Sequence, residues 1–321
     1  MLAQDIDKLE AYPTFVERYW ALTSGWFWKT NYTKNGHEVT HDKEVYYPDV
    51  ASDFAVDFFK RHREHPFYFY LSDHTIHGPI LRTPDSKAGA SPSQLYNDNV
   101  AYLDKTVGKI VKALDELGLR EKTLILFSTD NGTSRMGYTQ EHDPKKDVGM
   151  LHGKRMNGMK GTLLEGGSRV PIIANWKGTL PTGGVRADLI DFTDLLPTFA
   201  ELAEAQMPGN VKFDGRSFAP QLRGEKGSPR EWIFVQLGAG WYARSDGWKL
   251  NEKGELFSMI NAPNDEKLVA ADSSDPGAKV GRQYMENVLA ELNPGSGNTP
   301  PVKDAANRVK RKQNKKKAKA K

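Results

Sequence analysis

The sequence predicts an α/β fold, with a mixed, mainly parallel sheet flanked by helices and a small C-terminal antiparallel sheet with a helix. Short apolar runs alternate with helical patterns in the first part of the chain, which is typical of a parallel sheet. From about Ser228 onward, short apolar runs are separated by glycine and charged turns, which favours antiparallel strands. A chain of 321 residues, 38% of them hydrophobic, is long enough to bury a sizeable core.

The first elements form a strand–helix–strand sequence. A helix is predicted around residues 51–59, since its apolar residues recur at helical spacing. The aromatic run at 66–71 and the apolar run at 123–128 predict buried strands. The helix between them is predicted over 94–117 and ends before Gly118. Its predicted apolar stripe is Val100, Leu103, Val107, Ile110, Val111, Leu114 and Leu117.

A strand–helix–strand unit implies that its two strands are parallel. The segments that leave both strands, 74–79 and 130–132, are then expected at the same edge of the sheet, where open α/β folds place their sites. A loop rich in glycine, lysine and methionine follows at 149–167.

The later elements complete three predicted regions: an α/β domain at 1–227, a small α+β subdomain at 228–295 and a basic tail at 296–321. The remaining predicted elements are a strand at 170–176, a helix at 194–202, short strands at 232–237, 241–244, 248–250 and 255–259, and a closing helix at 283–292.

Composition excludes several classes of function. Cysteine is absent, which excludes disulfides, thiolate metal sites and a cysteine nucleophile in these 321 residues. No run approaches the roughly 20 apolar residues that a membrane helix needs. The segment 1–18 lacks the basic start and apolar run of a signal peptide, so the sequence leaves the localisation open.

The net charge of +4 depends on the C-terminal tail. Residues 303–321 contain ten lysines and arginines against one acid, Asp304, so the rest of the chain is mildly acidic. Such a block repels itself and is typical of a solvated tail. No aromatic residues lie between its charges, as stacking on bases would require, so binding of nucleic acid is not expected.

Three segments carry candidate chemistry. Asp130 and Asn131 are hard oxygen donors suited to Ca²⁺ or Mg²⁺, although Asn131-Gly132 could equally form a tight turn. His74 and His77 could donate hydrogen bonds to an anion, act as acids or bind a transition metal; the alternative is two histidines that cap backbone groups in a loop. Lys160 lies between two glycines and supplies a point charge for an oxyanion.

Together these segments resemble consecutive sequence blocks of the type I sulfatases, members of the alkaline phosphatase superfamily. The similarity extends over roughly 49–268, in the family's order and spacing. The blocks that carry it are 67–71, 74–79, 96–108, 123–132, 159–171 and 194–198, followed by 244–250 and 255–257.

The resemblance implies roles for individual residues. Asp130 and Asn131 would be two ligands of a Ca²⁺ ion, with Mg²⁺ as the alternative. His77 would contact the sulfate and help to protonate the leaving oxygen, and Lys160 would hold a sulfate oxygen. His74 would either join the site or only shape the loop. The implied substrate is a sulfated small molecule or glycan, and family members are often periplasmic or secreted.

One part of the family pattern is absent from this sequence. The family's nucleophile is a formylglycine made from Cys or Ser in a Cys/Ser-x-Pro-x-Arg motif, and an adjacent Asp-Asp pair completes the metal site. These 321 residues contain neither the motif nor an adjacent Asp pair. The chain is therefore interpreted as an N-terminally truncated member, and we expect negligible activity from residues 1–321 alone.

Three functions remain open at this level. The first is a sulfuric ester hydrolase whose nucleophile is encoded elsewhere. The second is a phosphodiesterase or phosphonate hydrolase of the same superfamily. The third is an inactive remnant that binds sulfated ligands.

Overall fold

The structure is a computed structural model, and it describes residues 27–28, 31–41, 44–134 and 149–294. Contacts divide the chain into two compact units. The first comprises residues 1–127, 134–147 and 172–180, and the second comprises 128–133, 148–171 and 181–321. The expectations for the N-terminal segment 1–18 and for the basic tail 296–321 lie outside the described residues. The predicted domain boundary at residue 227 stays a prediction.

The described chain contains helices, two short 3-10 turns and eleven short strands. The helices are α1 (Tyr47–His62), α2 (Pro92–Glu116), α3 (Glu165–Ser168), α4 (Leu195–Leu202), α5 (Ala219–Leu222) and α6 (Pro276–Leu292), and the 3-10 turns are Arg120–Lys122 and Phe192–Asp194. The strands are β1 (Tyr32–Lys34), β2 (His37–Val39), β3 (Ile125–Ser128), β4 (Met150–Leu151), β5 (Lys154–Arg155), β6 (Ile172–Asn175), β7 (Ile233–Leu237), β8 (Gly240–Arg244), β9 (Trp248–Asn251), β10 (Leu256–Ser258) and β11 (Lys267–Leu268).

The two long helices of the first unit confirm the helical predictions. The Ser91 side chain accepts a hydrogen bond from the backbone N–H of Gln94 and caps the start of α2. Gly118 adopts φ of +68° just after the helix, which a residue with a side chain rarely does. The two helices share a core of Ala55, Phe59, Leu114 and Leu119, against which Phe58, Phe67, Phe69, Ile110, Leu117 and Ile125 pack.

The predicted stripe of α2 was wrong in part. Val100 is 44% exposed, whereas Asn99, Tyr102 and Thr106 are buried. Asn99 can be buried because its amide donates to the carbonyls of Leu81 and Leu95, both at 2.7 Å. The buried face of α2 therefore includes polar side chains that have hydrogen-bond partners inside the protein, and it does not include Val100 as the apolar pattern predicted.

The segment 66–71 forms no strand ladder in the described part of the chain. Its side chains alternate as in a strand. Phe67 and Phe69 pack against the shared core of α1 and α2, whereas Tyr68 and Tyr70 are 68% and 76% exposed. The predicted strand is therefore not realised, because a strand needs a neighbour for its backbone hydrogen bonds. The other two predicted strands of this region, β3 and β6, pair with each other, and the parallel sheet stays a prediction.

The second unit confirms the C-terminal antiparallel sheet. Its five strands lie in the order β11-β10-β9-β8-β7, and each neighbouring pair is antiparallel. Helix α6 packs on this sheet and begins at Pro276, earlier than the predicted residue 283. The core is formed by Ala243, Leu250, Leu256, Ala278, Met285 and Val288.

Two glycines inside helices give a matched test of this packing. A Cβ on Gly281 of α6 would lie 2.5 Å from ring atoms of Trp248, whereas a Cβ on Gly108 of α2 would meet nothing within 4 Å. Gly281→Ala is expected to lower the free energy of unfolding by about 1–3 kcal/mol. Gly108→Ala is expected to raise it by about 0.5–1 kcal/mol. Urea denaturation of both variants checks the opposite signs, and equal effects would contradict the contact between α6 and Trp248.

Among the described residues, none of the helices combines the length and the apolar character that crossing a membrane requires.

Candidate active site

Two of the predicted loops are joined by backbone hydrogen bonds in the second unit. The Gly132 N–H donates to the carbonyl of Gly167 at 3.1 Å, and the Lys160 N–H donates to the carbonyl of Thr133 at 2.9 Å. The turn that carries Asp130 and Asn131 is therefore fixed to the loop that carries Lys160. Gly132 bonds across to a distant loop, which is not the pattern of a two-residue hairpin turn.

Glycine is required where these loops meet. A Cβ on Gly132 would lie 1.8 Å from the carbonyl oxygen of Gly166, a distance that no relaxation of a side chain could relieve. A Cβ on Gly166 would in turn lie 2.4 Å from the carbonyl oxygen of Gly158. The backbones can approach this closely because side chains are absent at the crossing.

The polar side chains of these loops reach the surface. Asp130 and Lys160 are exposed, and Asn131 is half-buried. The Asn131 Nδ2 donates to the carbonyl of Gly132 at 3.2 Å, which leaves its Oδ1 as the atom suited to a cation. A carboxylate, an amide oxygen and an ammonium group are thus carried by two loops that are bonded to each other.

The donor chemistry of Asp130 and Asn131 fits a hard cation such as Ca²⁺, but the number of donors does not complete a site. Calcium takes about 6–8 oxygen ligands. Among the described residues no group of three or more histidine, aspartate or glutamate side chains is placed to hold a metal ion. Asp130 and Asn131 can therefore form only part of a coordination sphere.

The two histidines lie in a tight turn of the first unit. The His77 N–H donates to the carbonyl of His74 at 2.8 Å, and the Thr75 N–H donates to the Asp73 carboxylate at 2.7 Å. The His74 ring packs against Phe27 and Tyr47, with ring centroids 4.8 and 5.2 Å away. Whether His74 joins the site or only shapes the loop stays a prediction, as does the common sheet edge predicted for segments 74–79 and 130–132.

The exposed His77 has one ring nitrogen assigned by its surroundings. Its Nδ1 lies 2.6 Å from the carbonyl oxygen of Gly78, which only a protonated nitrogen can approach as a donor. This contact places the Nδ1 proton in a hydrogen bond to the Gly78 carbonyl.

A separate cleft of about 460 Å³ lies in the second unit. Its lining includes Asp188, Arg230, Glu231 and Asp246, and none of the predicted site residues. The Arg230 guanidinium at this cleft is occupied by a buried ion pair with Asp194. The cleft is therefore not where the sequence places the chemistry.

Four charged residues with buried side chains lie in or contact the loop that carries Lys160, and no role was predicted for them from the sequence. Glu165 and Glu266 are each paired with a cation of the C-terminal sheet, Arg244 and Lys249 respectively. The Glu165–Arg244 contact joins positions 79 residues apart, so no local pattern could have indicated it.

Comparison with known proteins identifies the family. The family model described as Sulfatase matches residues 4–205, which is more than half of the chain. The chain belongs to the sulfatase family. Curated relatives agree: this sulfatase chain is 34% identical over 207 residues to arylsulfatase D of Homo sapiens and 36% identical over 205 residues to steryl-sulfatase of Mus musculus. It is also 36% identical over 191 residues to arylsulfatase A of Homo sapiens.

The matches cover 61%, 62% and 60% of this sulfatase chain but 34%, 32% and 35% of those relatives. The chain thus spans about a third of the length of the curated relatives it matches.

Solved structures share the fold. Ps i-CgsB superposes with a TM-score of 0.69 at 23% identity, covering 95% of this chain and 65% of that one. The PsFucS1 sulfatase from Pseudoalteromonas sp. superposes with a TM-score of 0.59 at 25% identity, covering 82% of this chain and 57% of that one. The described structure therefore has the α/β fold of sulfatases, with the predicted C-terminal antiparallel sheet.

Proposed function

We propose that this chain carries part of a site that hydrolyses a sulfate ester. The observation that supports the proposal most strongly is the pair of backbone hydrogen bonds, Gly132 to Gly167 and Lys160 to Thr133, in a chain of the sulfatase family. They hold a cation-binding turn and an anion-binding lysine together. A sulfate ester needs both, since its hydrolysis depends on groups that bind anionic oxygens more strongly as the S–O bond breaks.

In this proposal Lys160 binds a sulfate oxygen. Lys160 is exposed, whereas the residue before it, Met159, is buried. Met159 therefore anchors the loop, and the ammonium group of Lys160 reaches the surface. The positive charge offsets the negative charge that develops on the sulfuryl oxygens.

His77 is proposed as the acid that protonates the leaving oxygen. The contact of Nδ1 with the Gly78 carbonyl fixes the ring orientation and assigns the transferred proton to Nε2. The proton would pass from Nε2 to the alcohol oxygen as its bond to sulfur breaks. The nucleophile supplied from outside these 321 residues would form the new S–O bond that the sulfuryl group requires, and the alcohol would leave.

Asp130 and Asn131 are proposed to contribute two oxygen ligands to a Ca²⁺ ion. When bound, that ion would polarise the sulfate. The remaining ligands and the formylglycine nucleophile would come from sequence outside these 321 residues, since neither an Asp-Asp pair nor the Cys/Ser-x-Pro-x-Arg motif occurs in them.

The substrate is proposed to be a sulfated small molecule or glycan. The curated relatives named arylsulfatase make an aryl sulfate the natural first probe. A structure of BT4656 in complex with its substrate D-glucosamine-2-N,6-O-disulfate, with a TM-score of 0.58, makes a sulfated sugar the second.

Residues 1–321 alone are expected to show negligible turnover of an aryl sulfate at saturating Ca²⁺, because the nucleophile motif is not among them. The turnover of residues 1–321 is to be compared with that of any longer polypeptide encoded by the DNA upstream of Met1. An in-frame Asp-Asp strand and Cys/Ser-x-Pro-x-Arg motif should give a longer polypeptide that hydrolyses the aryl sulfate. If that polypeptide cleaves a phosphodiester in preference, the phosphodiesterase alternative replaces the proposal.

The Cys/Ser-x-Pro-x-Arg motif is absent from these 321 residues, which favours a second candidate function, the inactive remnant that binds sulfated ligands. Continuous stop codons upstream of Met1, with binding of sulfated ligands but no turnover, would support the remnant that only binds them.

A further inference from the structure

Two cations of the C-terminal sheet lie directly opposite each other in the second unit. Arg244 of β8 and Lys249 of β9 are cross-strand partners, and their side chains are only 7% and 3% exposed. Like charges opposite each other on neighbouring strands are destabilising, and a buried charge costs several kcal/mol unless it is paired. Their retention here requires buried anions nearby.

Two carboxylates supply that charge. The Arg244 Nη1 donates to both oxygens of Glu165, at 3.0 and 2.9 Å. The Lys249 Nζ donates to Glu266 Oε2 at 2.6 Å. Both glutamates are 2% exposed. We call Glu165, Arg244, Lys249 and Glu266 the buried quartet, and its formal charges sum to zero.

The buried quartet bonds to the backbone of the Lys160 loop as well as to itself. Glu266 Oε1 accepts the backbone N–H of Glu165 at 2.8 Å, and Lys249 Nζ also donates to the carbonyl of Leu163 at 2.6 Å. Residues 163–165 are therefore held on both the carbonyl and the N–H side by side chains of the C-terminal sheet.

The held segment leads directly to the proposed site. Gly166 and Gly167 follow Glu165 and make the close approach to Gly132, whose N–H donates to the Gly167 carbonyl at 3.1 Å. Glu165 therefore connects the C-terminal sheet to the turn that carries Asp130 and Asn131.

We propose that Arg244 and Lys249 are positioning residues for the sulfate site: through Glu165 and Glu266 they fix the loop that presents Lys160 to the turn of Asp130 and Asn131. The proposal rests on the proposed function, since it concerns the geometry of that same site. Neither cation touches the substrate in this account.

The alternative is that the buried quartet only stabilises the fold. Replacing a buried ion pair by apolar residues of similar volume is often neutral for stability, whereas removal of one partner is strongly destabilising. A double substitution can therefore keep the fold while it removes the directional contacts.

The test uses a polypeptide that joins residues 1–321 to an Asp-Asp pair and a Cys/Ser-x-Pro-x-Arg motif, in four forms: wild type, Arg244→Lys, the double variant Glu165→Met/Arg244→Met, and the control Arg282→Met. Arg244→Lys keeps the charge but loses the planar fork of the guanidinium. Arg282 lies on α6 in the same unit, is half-buried, pairs with Glu286 and donates to the carbonyl of Gly254 at 2.9 Å, away from the Lys160 loop. Inorganic sulfate affinity is measured by calorimetry, and amide hydrogen exchange is measured at Gly132, Lys160 and the reference Ala203, which bonds to Phe199 in α4.

Arg244→Lys and the double variant are expected to bind sulfate about 10- to 100-fold more weakly, as when a residue that orients a ligand-binding group is lost. Exchange should accelerate at Gly132 and Lys160 but not at Ala203, and Arg282→Met should match wild type. Unchanged exchange at Gly132 and Lys160 in either folded variant would overturn the proposal. Equal acceleration at all three amides would also overturn it, because the buried quartet would then act on stability alone.

Failure of the proposed function gives a different result. If wild type does not bind sulfate at all, the sulfate site is contradicted, while exchange at Gly132 and Lys160 still decides whether Arg244 positions the loop.

Discussion

Lys160→Ala is expected to lower kcat for aryl sulfate hydrolysis by about 100- to 1,000-fold in a polypeptide that joins residues 1–321 to a Cys/Ser-x-Pro-x-Arg motif. The ammonium group is the charge proposed to stabilise the sulfuryl oxygens in the transition state. Its removal leaves the loop backbone intact, since the Lys160 N–H, not its side chain, bonds to Thr133. The loss should therefore fall on turnover and not on folding.

Lys154→Ala is the matched control for this variant. Lys154 is an exposed lysine on β5, a few residues earlier in the chain and in the same unit. We expect it to leave kcat and the thermal unfolding midpoint unchanged. Near-normal turnover of an aryl sulfate by Lys160→Ala would count against the assignment of this lysine.

Gly132→Ala is expected to destabilise the second unit by at least about 3 kcal/mol, beyond the usual range for an overpacked site. The added Cβ would lie 1.8 Å from the Gly166 oxygen and 2.8 Å from the Gly166 carbon. Both are backbone atoms, so the two loops would have to separate and the Gly132–Gly167 hydrogen bond would break. Urea denaturation measures the change in the free energy of unfolding.

Gly149→Ala is the control in the same region of the second unit. The nearest atom to a Cβ on Gly149 is the Thr133 hydroxyl oxygen at 3.4 Å, which is close to ordinary contact. This variant should unfold within about 1 kcal/mol of wild type. If both alanines have the same small effect, the loop of Gly132 does not cross the loop of Gly166 as described.

The sequence predicted elements whose signals are local. The Ser91 cap and Gly118 bracket α2, and short runs such as 248–250 became strands of the antiparallel sheet. The family resemblance implied that Asp130, Asn131 and Lys160 serve one site. That assignment stays a prediction, and the backbone hydrogen bonds show only that the two loops are joined.

Other features depend on partners that periodicity does not show. Residues 149–167 are predicted to form a loop, but Met150 pairs with Arg155 in a hairpin whose turn residues, His152 and Gly153, both have positive φ. Asn99 is buried through hydrogen bonds, not through apolar character. The segment 66–71 has the composition of a strand, but whether it joins a ladder is decided by a neighbour.

The buried quartet illustrates the same limit at longer range. Arg244 and Lys249 lie in predicted strands, where a charged side chain is expected to face solvent, and only the fold brings Glu165 and Glu266 to them. Charged residues are almost never fully buried without a partner, so a single sequence favours exposure for each of them.

The most direct test of the account is a crystal structure of a polypeptide that joins residues 1–321 to an Asp-Asp pair and a Cys/Ser-x-Pro-x-Arg motif, grown with Ca²⁺ and inorganic sulfate. The account predicts one sulfate with the Lys160 Nζ and the His77 Nε2 within about 3 Å of its oxygens, and a cation bound by Asp130 and Asn131 beside it. A sulfate bound to Lys160 with His77 far from it, or a cation bound away from Asp130, would contradict the single site.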